Sequence, residues 1–232
     1  MKCISSRRWF GLFAATVVVT LTAACSALWP TVAPQPTIYT LGGNRIDTGP
    51  PAPKSASVSA DLPTLIVDPP RAAAGFDSLR IIYVRKPQQL EYFAHSEWVD
   101  TPARMLAPLI VSAIARSTNF GAVVLAPGAI AGDMRLDTEI VRMQQEFDVS
   151  PSRVRFTLRA TLVDTATSRV LVQRELEASV SAESQDPYGG IIAAQAAVAV
   201  VMEDLASICT EAAAGWPGSH PQLRRRDTQA QK

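Results

Sequence analysis

The stretch that decides the fold is RVRFTLRATLVD, at residues 153–164. Apolar side chains occupy every second position from Val154 to Leu162, and arginine or threonine occupies the positions between them. Alternation with a period of two is typical of a strand with one buried face and one solvent-exposed face. The sequence therefore predicts a long, half-buried β-strand here.

The segments on both sides of this strand extend the same sheet. Residues 170–180 repeat the alternation after a polar turn at 165–168, which predicts a neighbouring strand. The preceding strand changes phase between Ile140 and Val141, and a one-residue change of face is what a β-bulge produces. Cross-strand pairing should also bring two arginines near two glutamates on the solvent face: Arg155, Arg159, Glu175 and Glu177.

Two segments with helical spacing predict the helices. Thr101-Pro102 has the residue types of an N-cap and a first helical position, and apolar residues follow at helical spacing over 106–114. Pro108 lies inside this pattern, so we expect it to kink the helix or to delay its start. After Gly189-Gly190, a second apolar stripe over 191–209 should pack on the sheet.

Shorter apolar segments complete the predicted domain. We expect a strand at 79–85 that pairs with 90–93, a short buried strand at 121–125 and a first short strand at 37–41. From residue 79 onward the order is strand, strand, helix, four strands, helix. This order predicts an α+β fold, in which a mainly antiparallel sheet is packed on one side by two helices.

The N-terminal residues 1–24 have the pattern of a signal peptide. Lys2, Arg7 and Arg8 precede an uncharged, mostly apolar run of 16 residues over 9–24, which is shorter than the ~20 residues that span a membrane. The run ends in small residues followed by Cys25, an order that resembles a bacterial lipobox. The sequence therefore predicts cleavage before Cys25 and attachment of a lipid to its thiol.

Composition sets the remaining boundaries. Residues 25–36 are expected to form the lipid anchor and a proline-rich linker, and residues 37–214 the α+β domain. Residues 215–232 combine proline and glycine with an arginine cluster and have no apolar periodicity, which predicts a disordered basic tail. Cys209 lies in the second helical stripe, so we expect a buried, inert thiol.

Little in the sequence points to catalysis. The 22 Lys and Arg residues nearly balance the 21 Asp and Glu residues, whereas nucleic-acid-binding proteins usually have a basic excess. His95 and His220 stand without the further ligands or nucleophile that a metal or acid–base site needs. We expect no catalytic residues, no metal, no nucleic-acid partner and no cofactor except the covalent lipid on Cys25.

The most unusual local segment is LEYFAHSEWVD, at residues 90–100. It contains three aromatic residues just before the first helix. One interpretation is core packing of the hairpin against that helix. The other is that Tyr92 or Trp98 is partly exposed and anchors a partner, because aromatic residues are enriched at binding hot spots.

The segment from residue 79 to residue 120 resembles the ABC-type transport auxiliary lipoprotein component family, which includes lipoproteins of the PqiC type. The likeness rests on the sequence Leu-Arg-Ile-Ile-Tyr-Val at residues 79–84 and on the positions that follow it: Leu90, Tyr92, Trp98, Thr101-Pro102, Met105-Leu106 and residues 117–120. A short strand around Tyr39, the three long strands, the final alanine-rich helix and the lipobox fit the same family. The resemblance spans most of residues 37–212.

This resemblance implies a non-catalytic adaptor in an ABC-type lipid transport system. Its partner would be an MCE-domain protein, its anchor a lipid that includes palmitate, and its location the periplasmic face of the outer membrane, with the inner membrane as the alternative. Ser26 after the cysteine fits sorting to the outer membrane. Homo-oligomers are a further possibility. Two other functions stay open: direct binding of a lipid or another hydrophobic ligand, and service in outer-membrane assembly or secretion.

Overall fold

The structure is a computed structural model that describes residues 35–42, 62–117, 119–128 and 131–216. The described residues from Pro36 onward belong to one compact unit. Its helices and strands, in chain order, are β1 (Thr37–Tyr39), β2 (Thr64–Val67), β3 (Arg71–Ala72), β4 (Arg80–Lys86), β5 (Gln89–Trp98), α1 (Pro102–Ala115), β6 (Ala122–Leu125), β7 (Met134–Glu146), β8 (Arg153–Asp164), β9 (Val170–Ser181) and α2 (Pro187–Ala214). The predicted signal peptide, Cys25 and residues 217–232 lie outside the described ranges.

The long strand β7 is the centre of the sheet. One of its edges pairs antiparallel with β8 along nearly its whole length, and β8 pairs antiparallel with β9. Its other edge pairs in turn with β2, β3 and β4, all of them parallel to it. Beyond these strands, β6 pairs parallel with β2, β5 pairs antiparallel with β4, and β1 pairs parallel with β5.

This topology refines the predicted fold class. Within the described residues the fold is α+β with two helices, and the nine-stranded sheet is mostly antiparallel, as predicted, but it is mixed because its shorter strand pairs are parallel. The three long strands and the β4–β5 hairpin are antiparallel because turns join them directly, while the parallel pairs join segments far apart in the chain. The strands β2 and β3 were not predicted.

The three long strands agree with the sequence pattern. The register of β7 against β8 shifts between Ile140 and Arg142, which confirms the predicted bulge. On the solvent face, Arg155 lies 3.2 Å from Glu177, and Arg159 lies 3.2 Å from Glu175. The alternating apolar residues of β8 face a continuous core that both helices share.

Helix α1 begins at Pro102, as predicted, and continues through Pro108 without a delayed start. The hydroxyl of Thr101 makes no capping hydrogen bond. Helix α2 begins at Pro187, earlier than expected, with the carboxylate of Asp186 as its N-cap. Gly190 is therefore part of the first helical turns, where the buried Gln145 side chain leaves no room for a β-carbon.

Two further details differ from the sequence predictions. The strand β6 is only partly buried, and Leu125 at its end is 40% exposed, because β6 lies at an edge of the sheet. Trp216, which the composition assigns to a disordered tail, is buried in the core. Its indole nitrogen donates a hydrogen bond to the carboxylate of Asp164 at the end of β8. The ordered chain thus extends at least to Trp216.

Candidate docking surface

The β4–β5 hairpin contains the aromatic segment that the sequence analysis singled out. Ile82 pairs with Tyr92, and Arg80 pairs with Glu97. Between these two pairs β4 has one residue, whereas β5 has four. This wide bulge changes which face the following side chains occupy. Residues that pair directly across strands share a face, so Arg80, Tyr92 and Glu97 lie on one side of the sheet.

That side faces away from the helices. Ile81, which alternates with Arg80 and Ile82 along β4, belongs to the core that the helices cover, and so does Trp98. Tyr92 is 52% exposed, and the guanidinium of Arg80 lies 4.1 Å from the centre of its ring. This distance is typical of a cation–π contact.

Two exposed aliphatic residues widen this patch. Ile38 of the edge strand β1 pairs with Glu97, and Leu90 pairs with Val84 next to Tyr92. Ile38 is 52% exposed and Leu90 is 47% exposed. We call Ile38, Arg80, Leu90, Tyr92 and Glu97 the hairpin surface.

Trp98 and Tyr92, the two predicted partner-binding residues, have different environments. Trp98 was expected outside strand and helix, but it is the last residue of β5 and is only 4% exposed. The wide bulge turns its side chain into the core. Trp98 therefore packs in the core, and of these two residues only Tyr92 is exposed. His95, which was expected in a loop, lies on β5 and is exposed.

An ionic network continues the outer face beyond the hairpin surface. Glu146 pairs with Val84 across the sheet, and its carboxylate lies 2.8 Å from Arg153 and 2.9 Å from Arg155. Burial raises the pKa of Glu146, but the hydrogen bonds from the two arginines outweigh this effect and keep its pKa below the usual range. The charges of this network therefore satisfy one another.

The inner side of the hairpin has its own aromatic cluster. The rings of Tyr83 and Phe93 lie 4.6 Å apart, and the ring of Phe147 packs edge-on against Tyr83 at 5.7 Å. The hydroxyl of Tyr83 donates to Glu91, which is also paired with Arg85. The hydrogen bond from Arg85 holds the pKa of Glu91 below its ordinary value. Phe93 thus serves packing, which leaves Tyr92 as the outward-facing aromatic residue of the segment.

Cys209 is the cysteine that the described residues contain, and it is buried. Cys209 is 1% exposed, and burial raises the pKa of its thiol to about 12, as the prediction of an inert cysteine requires. Within the described ranges, no group of three His, Cys, Asp or Glu side chains could hold a metal ion. A crevice beside Cys209, between α2 and the long strands, has no space for a water molecule.

The sequence predicted only part of the hairpin surface. Tyr92 was identified from the aromatic cluster, whereas Ile38 and Arg80 were missed as site residues. Neither contact follows from local spacing: Ile38 reaches Glu97 through a parallel pair of distant segments, and Arg80 reaches Tyr92 only because of the bulge.

Solved structures share this fold. Protein XCC0632 of Xanthomonas campestris, a DUF330 protein, is 22% identical, and the match covers 72% of this chain and 88% of that chain with a TM-score of 0.59. An uncharacterized protein is 13% identical, with 76% of this chain and 98% of that chain covered and a TM-score of 0.56. At these identities the likeness concerns the fold alone. No curated protein matches the chain.

The family assignment rests on the sequence of the domain. The model of the family described as ABC-type transport auxiliary lipoprotein component matches residues 39–206, from β1 into the second half of α2. The match includes the whole β4–β5 hairpin and the three long strands. The chain therefore belongs to the ABC-type transport auxiliary lipoprotein component family.

Proposed function

We propose that this chain is a lipid-anchored adaptor that docks through the hairpin surface onto an MCE-domain protein of an ABC-type lipid transport system. It would lie on the periplasmic face of the outer membrane, attached through Cys25. The adaptor has no turnover of its own, and the ATPase of the transport system supplies the energy.

The observation that supports docking is the exposed Arg80–Tyr92 pair. Arginine and tyrosine are enriched at protein–protein interfaces, where a few such residues provide most of the binding energy. A guanidinium held against the ring already has a restricted conformation, so less side-chain entropy is lost on binding. Ile38 and Leu90 add apolar area on the same face.

The alternative is that the domain itself holds a lipid between sheet and helices. The crevice beside Cys209 lies in that position and is too narrow for a water molecule. A lipid chain could enter there only if α2 separated from the long strands, which would expose part of the continuous core.

Tyr92→Ala tests the docking surface, with Tyr188→Ala as a matched control. Both tyrosines are more than half exposed, at 52% and 62%, but they lie on different elements, β5 and α2. We expect Tyr92→Ala to weaken binding to the MCE-domain partner by about 2 kcal/mol and to leave the melting temperature nearly unchanged. Tyr188→Ala should bind like the unsubstituted chain. Equal, undiminished binding by both variants would refute docking through the hairpin surface.

A further inference from the structure

The solvent-exposed side of α2 is apolar over the first half of the helix. The helix has no charged residue from Pro187 to Met202, and it contains no Lys, Arg or His along its whole length. Three apolar side chains on this side are exposed: Tyr188 by 62%, Ile192 by 38% and Val200 by 46%. Ala196 and Ala199 lie among them and are exposed as well. We call these five residues the α2 stripe.

The α2 stripe is distinct from the buried side of the same helix. Ile191, Val198, Leu205 and their neighbours on the buried side pack in the core. By length and composition α2 could span a membrane, but this packing makes it a core helix of the domain. A surface helix normally presents polar residues to water, as α2 does further along with Glu203 and Ser207. The apolar exposure is therefore confined to one part of the helix.

The N-terminal chain enters the domain beside this stripe. The side-chain amide of Gln195 donates a 2.9 Å hydrogen bond to the carbonyl of Thr40, just after β1. Gln195 lies one helical turn from both Ile192 and Ala199, at the border of the stripe. Leu41 is 2% exposed in the core and fixes this segment in place.

The tether between lipid and domain is short. Ten residues, 26–35, separate Cys25 from Pro36. Fully extended, they reach about 35 Å. A lipid on Cys25 would therefore hold the start of β1, and with it the adjoining α2 stripe, within a few nanometres of the bilayer surface.

We infer that the α2 stripe lies on the surface of the bilayer in which Cys25 is anchored; this inference rests on the lipid anchor of the proposed function. Tyr188 suits the interface, since its ring is apolar and its hydroxyl stays in water. The absence of basic residues favours zwitterionic lipid headgroups, such as phosphatidylethanolamine, over attraction to anionic lipid.

A second copy of the chain is the competing occupant, and the charges disfavour it. In an antiparallel pairing of two α2 stripes, Glu203 and Asp204 of one copy would approach Asp186 of the other. All three are acidic, and α2 provides no base to offset their repulsion. Contact with a neutral lipid surface has no such cost.

Spin labels on the full lipidated chain test this inference. The chain is reconstituted in vesicles of phosphatidylethanolamine with a minor share of phosphatidylglycerol, and a nitroxide is attached at Ile192→Cys. The matched control is Ser207→Cys, on the same helix but about 22 Å further along its axis. We expect the collision rate with oxygen, relative to that with a water-soluble nickel complex, to be several-fold higher at 192 than at 207. Val200→Cys should repeat the result at 192.

Each other outcome overturns the inference in a recognisable way. Equally low, water-like collision ratios at 192 and 207 mean that the stripe stays in water. A label at 192 that is shielded from both reagents means that protein covers the stripe, and spin–spin broadening would identify a second copy. If the purified chain has no acyl mass and does not float with the vesicles, the anchor itself fails, and the proposed function must change as well. If the chain floats but 192 stays in water, only the inference fails.

Discussion

Trp216 gives the sharpest test of where the domain ends. Its side chain is 6% exposed and packs in the core, although it follows the last helix and precedes Pro217. Replacing a buried tryptophan with alanine removes its apolar contacts and leaves a cavity, at a cost of about 3–5 kcal/mol. We expect Trp216→Ala to lower the free energy of unfolding by an amount in this range.

Trp216→Phe separates the hydrogen bond from the packing. Phenylalanine keeps much of the apolar volume but cannot donate to Asp164. Loss of a hydrogen bond to a charged group costs about 1.5–3 kcal/mol. Trp216→Phe should therefore destabilise the chain less than Trp216→Ala.

The pH dependence adds a second readout. Burial raises the pKa of Asp164, but hydrogen bonds from Trp216 and from Thr167 outweigh it, so the pKa in the folded chain lies below its ordinary value. The stability that the ionised carboxylate contributes is complete above its unfolded pKa, near ~3.9. It is lost as the pH falls through the lower folded value. The difference between wild type and Trp216→Phe should accordingly shrink on acidification.

The assay is urea unfolding of the mature chain with Cys25→Ser, followed by circular dichroism. The same titration is repeated from neutral pH down to the acid range for wild type and both Trp216 variants. If Trp216→Ala changed the free energy of unfolding by no more than about 0.5 kcal/mol, as an exposed substitution does, Trp216 would belong to the tail and the described contact with Asp164 would be wrong.

Two further predictions concern the ionic network and the anchor. Glu146→Gln removes a charge that two arginines share, and it should lower the free energy of unfolding by about 1.5–3 kcal/mol in the same urea assay. Glu175→Gln, at an exposed pair, should lower it by less than about 1 kcal/mol. Equal losses in the two variants would contradict the burial of Glu146. Cys25→Ser should abolish labelling by a clickable fatty acid in cells, and label that persists in the variant would exclude Cys25 as the lipidated residue.

Sequence patterns predicted the parts of the fold that local spacing determines. The alternation over β8 and β9, the phase change at Ile140 and the Thr101-Pro102 helix start are all readable within a few residues, and each is present. The ion pairs of Arg155 and Arg159 also followed, because a short turn fixes the register of the two strands.

The errors occur where distant segments decide the outcome. The strand β2 has only four residues, Thr64 and three apolar ones, and it becomes a strand by pairing with β6 and β7 far along the chain. The sequence left open whether Trp98 packs in the core or anchors a partner, because nothing in the local spacing reveals the wide bulge before it. Trp216 is buried through a partner 52 residues away in the chain, beyond the range of any local pattern.

The two proposed surfaces lie on opposite sides of the sheet, and this separation has a consequence for assembly. Helix α2 packs on the inner face, together with Trp98 and Ile81, while Tyr92 and Arg80 lie on the outer face. A bilayer in contact with the α2 stripe would thus leave the hairpin surface directed away from the membrane. If the lipid anchor and the stripe hold the domain from one side, as proposed, a partner could approach Tyr92 from the other side without displacing either contact.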